Sequence, residues 1–72
     1  MVYNGENAKE GGNGMREVVL AFRKNYGISQ RKFAKECGIS PTTLMKIEAG
    51  KEPGLIVRGK IENAMHRIEN AN

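Results

Sequence analysis

Lys46 stands one helical turn past Thr42 in the stretch "SPTTLMKIEAG", with Thr43, Leu44 and Met45 between them. An amine and two hydroxyls at that spacing break no bonds by themselves, because no acid or base stands beside them. They can donate hydrogen bonds to a surface rich in acceptors, and the distribution of charge says what kind of surface that is. Residues 23–51 carry the cations Arg23, Lys24, Arg31, Lys32, Lys35, Lys46 and Lys51 against Glu36 and Glu48 alone. The stretches on either side are balanced to within one charge, so the net +4 of the chain is concentrated in its middle. Such a local excess is the footprint of a polyanion partner, nucleic acid first, although a lysine-rich solvated face would carry the same charge.

No other constellation competes for chemistry. His66 is the only histidine and lies at helical spacing among Met65, Arg67 and Glu69, facing solvent or a partner. Cys37 is the only cysteine, which excludes a disulfide framework and a zinc site; placed just before a turn glycine, it reads as a packed thiol. "GGNG" has no strand-and-helix unit around it and is no phosphate loop. The sequence therefore points away from an enzyme and implies no metal, cofactor or small-molecule ligand. Its apolar runs "VVLAF" and "LIV" fall far short of the roughly 20 residues of a bilayer span, and the polar N-terminus lacks the order of a signal peptide. A cytoplasmic protein without a membrane partner is the expectation.

These residues need elements to hold them. "MVYNGENAKEGGNG" has four glycines and three asparagines and no apolar period, so residues 1–14 are expected to form a flexible arm ahead of one domain over 15–72. Met15, Val19, Phe22 and Tyr26 share a helical face, and Gly27 suits the left-handed closing residue. Ser29 caps a second helix of about two turns, "QRKFAKE". Ser40 caps a third, with Pro41 at the first helical position, where a missing amide hydrogen loses nothing. Leu44 and Ile47 point inward there, and Gly50 supplies the stop. After the breakers Pro53 and Gly54, Ile61, Ala64, Met65 and Ile68 form the stripe of a last helix. Gly59 near its start predicts a frayed first turn or unusually close packing. No segment alternates with period two, so the fold class is all-α, a compact bundle of four helices with room for a short fifth turn. At 72 residues such a domain buries only about 60% of its unfolded surface. The middle pair is joined by a short turn containing Gly38, with Ala34 at the close crossing and Phe33 and Ile39 in the core beneath; this is the layout of a helix-turn-helix.

Residues Gly27 to Pro53, "GISQRKFAKECGISPTTLMKIEAGKEP", carry a more specific pattern. Glycine, aliphatic, serine and glutamine come first, then the alanine and turn glycine, then Ile-Glu-x-Gly followed by a basic residue and proline. In this the sequence resembles the Cro/C1-type (XRE) helix-turn-helix family of phage and bacterial regulators, over roughly Val19 to Met65. The resemblance implies a lambda-repressor-like fold, although the family's domain usually has five helices and four are read here. It implies a transcriptional regulator, of phage or mobile-element repressor or Cro-like type, that reads an operator in double-stranded DNA. Thr42 and Lys46 match the family's base-reading positions. Lys46 can donate to guanine O6 and N7 or merely neutralise phosphate, and the Thr42 methyl can rest on a thymine methyl. Pro41 replaces a polar reader and leaves an apolar contact, with Met45 flanking. Gln30 corresponds to a phosphate-binding position, with Thr43, Arg31, Lys32 and Lys51 as further phosphate contacts. Arg23 and Glu48 correspond to a partly buried ion pair of architectural use.

Leu55, Ile56 and Val57, with Met65 and Ile68, give more apolar surface than a short last helix uses. They are the expected surface for a homodimer on DNA, or for a partner repressor if the chain acts instead as an anti-repressor or modulator.

Overall fold

The structure, a computed structural model, describes residues 14–71. Four helices follow one another: α1 (Gly14–Tyr26), α2 (Gln30–Cys37), α3 (Pro41–Glu48) and α4 (Leu55–Ala71). Among the described residues there is no strand and no fifth helix. The arm expected over residues 1–14 lies outside the described residues, apart from Gly14, which is buried and begins α1.

The boundaries are set by local chemistry. Ser29 accepts a hydrogen bond from the Lys32 amide at 3.1 Å and starts α2. Ser40 accepts from the Thr43 amide at 3.0 Å and starts α3, with Pro41 at its first position. Each oxygen satisfies an amide that the first helical turn would leave without a partner. α1 and α2 end on glycines in the left-handed region, Gly27 (φ 64°) and Gly38 (φ 74°). In both, the next amide reaches back five residues, Ile28 to Arg23 O and Ile39 to Ala34 O, each at 3.0 Å. A side chain would clash in that backbone conformation, which is why the turn between α2 and α3 needs Gly38.

The core is drawn from all four helices. Val19, Phe33, Ala34, Leu44, Ile61 and Ala64 have no exposed surface, and Met15, Phe22, Cys37 and Ile47 are buried around them. α1 packs on α3, α2 on α3, and α2 on α4. Each fully buried large apolar side chain contributes about 1.5–3 kcal/mol, so α3 is held mainly through Leu44 and Ile47 from behind. Phe22 stacks on Phe33 with centroids 5.7 Å apart, and Tyr26 on Phe22 at 4.5 Å. Tyr26 shares its face with the core residues but sits on the last residue of α1, beyond the core's edge, and is exposed.

Gly59 departs from the sequence expectation. α4 runs through it without interruption, and a methyl group built there would meet nothing within 4 Å. Neither fraying nor close packing accounts for the glycine. A periodicity reading registers a low helix propensity but cannot see whether a neighbour lies opposite.

Candidate nucleic-acid interface

α3 has two unlike faces. Leu44 and Ile47 are buried, while Thr42, Met45 and Lys46, with the C-cap residue Ala49 just past the helix, are exposed on the opposite side at offsets of three, four and seven residues. Side chains at those offsets share one face of an α-helix. Pro41 is exposed at the leading edge. Thr43 is half-buried, and its hydroxyl lies 2.8 Å from the Ser40 hydroxyl, so it belongs to the cap of α3 as much as to any outer surface.

Cations border this face. Arg31, Lys32 and Lys35 are exposed on α2 and, with Ser29, Ile39, Pro41 and one carboxylate, Glu36, wall an open groove between the starts of α2 and α3. Lys51 is exposed just past the end of α3, its amide bonded back to Lys46 O at 2.9 Å. The outer face of α3 therefore has positive charge on both flanks and a single ammonium, Lys46, within it.

The far end of α3 is fastened by Glu48. Arg23 Nη1 from α1 donates to both Glu48 carboxylate oxygens at 2.9 Å, and Arg23 Nε donates to Ile28 O at 3.0 Å. Gln30 Nε2, first in α2, donates to Glu48 Oε1 at 2.8 Å. Arg16 Nε donates to the Glu48 carbonyl at 2.9 Å, which ties the C-terminus of α3 to the start of α1. The Glu48 side chain keeps only 9% of its surface exposed and Arg23 22%. Three donor side chains thus converge on one residue, and they fix the angle at which α3 leaves the core.

A helix-turn-helix family model matches residues 19–68, most of the chain. The chain belongs to the Cro/C1-type (XRE) helix-turn-helix family. No curated protein and no solved structure gives a match to set beside it. This Cro/C1-type family is one of DNA-binding regulators, which gives the general class of the chain.

Within this helix-turn-helix domain the remaining chemistry-bearing residues stand apart. Cys37 is buried, and burial pushes its thiol up to about 11; nearby Arg67 opposes the shift and Glu36 adds to it. The thiol is therefore protonated near neutral pH and a poor nucleophile. His66 is exposed on α4. Among the described residues no group of His, Cys, Asp or Glu could hold a metal ion, and no helix is long and apolar enough to cross a membrane.

The five residues expected at a partner surface divide in two. Leu55 and Ile56 are 85% and 77% exposed, the most open large apolar side chains described. Val57, Met65 and Ile68 are half-buried and lean on the core. Gln30, expected at phosphate, has one amide hydrogen committed to Glu48 and retains its other hydrogen and its oxygen.

Ala49 and Arg16 were given no place by the sequence, and Lys35 was counted only among the cations of the middle stretch. Ala49 could have been found by carrying the Thr42 spacing one turn further. Lys35 could have been found from its place one turn past Arg31. Arg16 left no signal, because its partner is a backbone carbonyl 32 residues away.

Proposed function

We propose that this chain is a sequence-specific transcriptional regulator of phage or mobile-element repressor or Cro-like type, acting in the cytoplasm by placing α3 in the major groove of an operator. Thr42 and Lys46 read base edges, with Pro41 and Met45 beside them. Gln30, Thr43, Arg31, Lys32 and Lys51 hold phosphates on either side. The single observation that carries this reading is the exposure of Thr42, Met45 and Lys46 on a helix whose other face is locked down by Leu44 and Ile47. The bordering cations supply sequence-independent attraction, and base contacts supply discrimination.

The test is a titration of the isolated chain against the DNA upstream of its own coding sequence and against random duplex, at two salt concentrations. Tighter binding to the upstream DNA is expected, with log affinity falling by about 0.9 per phosphate neutralised for each unit of log salt. Equal affinity for the two duplexes, or affinity indifferent to salt, would overturn it.

Leu55 and Ile56 favour a second reading, in which the chain modulates a partner repressor and the helix-turn-helix serves a joint complex. Two adjacent apolar side chains at 85% and 77% exposure suit a protein contact. Specific binding to DNA only after a repressor is added would favour it.

A further inference from the structure

The outward face of α3 is poor in hydrogen-bonding groups. Thr42, Met45 and Lys46 are exposed on it, with the C-cap residue Ala49 next in line, and only the Thr42 hydroxyl and the Lys46 ammonium are polar. The other hydroxyl of the stretch, on Thr43, lies 2.8 Å from Ser40 Oγ at the cap. Pro41, at the leading edge, is exposed and brings neither an amide hydrogen nor a polar side chain. What remains is the Thr42 methyl, the Met45 thioether and the Ala49 methyl around one ammonium.

A face of that make-up has one good match in the major groove. Every base edge there offers donors or acceptors, and thymine alone adds an apolar group, its C5 methyl. Lysine donors in turn fit guanine O6 and N7. The geometry points to a half-site recognised chiefly through thymine methyl groups, with Thr42, Met45 and Ala49 as specificity-determining residues and Lys46 reading a guanine among them. Seven residues of helix rise by about 10 Å, the length of about three base-pair steps, so the thymines and the guanine fall within one short run. This inference rests on the DNA-reading role of α3 and adds base identity to it.

The full 72-residue chain is used to select duplexes from a randomised pool. Each thymine of the selected half-site is then replaced by uracil, which removes the methyl and keeps the Watson–Crick edge. Loss of one buried methyl is worth about fourfold in affinity. At least two thymine-to-uracil replacements are expected to weaken binding by about that factor. Thr42→Ser, which keeps the hydroxyl and lies outside the core, is expected to abolish the thymine-over-uracil preference at one position and leave it at the others. Met45→Ala is expected to do the same at a different position.

A half-site without thymine, or uracil duplexes that bind as tightly as the originals, would overturn the inference while the DNA-reading role stood. Unchanged preferences in both variants would overturn the assignment to these residues. Failure to select any sequence over random duplex would overturn the DNA-reading role itself, and this inference with it.

Discussion

Glu48 gathers more side-chain donors than any other residue described. Arg23 and Gln30 reach its carboxylate, and Arg16 its carbonyl, at 2.8–2.9 Å. Such a pair adds little over an apolar replacement of both members, but removing one leaves the other without compensation in a partly buried place. Glu48→Ala is therefore expected to destabilise the domain by about 3 kcal/mol. In a domain of this size that lowers the melting temperature by more than about 10 °C, followed by circular dichroism. Arg16→Met removes the bond to the Glu48 carbonyl, which is left free to take water, and an exposed pair with Glu17 that contributes little, so its loss is expected to be about 1 kcal/mol. A melting temperature unmoved by Glu48→Ala would reject the anchoring role of the carboxylate and its two donors, Arg23 and Gln30. The two arginines also show what a sequence yields at this scale. The pairing of Arg23 with Glu48 comes from the family pattern, in which both positions have recognisable neighbours. Arg16 acts on a carbonyl, and every residue has one, so no residue type marks its target.

At the scale of the helices, most of the architecture was legible because it is written in short-range chemistry. Serine caps, Pro41 at a first helical position and glycines in left-handed turns act within four or five residues, inside the reach of a sequence window. The stripe of α1 was equally visible, up to the point where the core ends and Tyr26 emerges. What periodicity could not supply was the environment opposite each position, and Gly59 is the clearest case. Its site in α4 is open, since an added methyl meets no atom within 4 Å. The backbone there is helical, which alanine adopts with less loss of chain entropy than glycine. Gly59→Ala is thus expected to stabilise the domain by about 1 kcal/mol and to raise its melting temperature by about 4–8 °C. A fall in melting temperature would mean that the position is closed in solution, and that the glycine is there to admit a neighbour.

For the whole molecule the question is how one small domain binds DNA tightly enough to act. Its principal extents are 30 × 29 × 20 Å, and the helix proposed to read the groove, α3, is only two turns long. A two-fold pair doubles the contacts, and half-sites one DNA turn apart lie about 34–36 Å from centre to centre. Two domains side by side, each about 30 Å wide, match that spacing. Leu55 and Ile56 begin α4 directly after the loop that follows α3, and they are the most open apolar residues described. A contact there would join two copies without touching the core. Leu55→Ser with Ile56→Ser should accordingly leave the stability of the monomer unchanged to within about 0.5 kcal/mol, as exposed substitutions usually do. The same change should abolish association in sedimentation experiments and convert cooperative binding of a two-half-site duplex into independent binding of each half. Affinity for an isolated half-site should not change, since the outer face of α3 is intact. Undiminished association in the double variant would move the interface elsewhere, and a wild-type chain that stays monomeric at high concentration, with and without DNA, would remove the homodimer altogether.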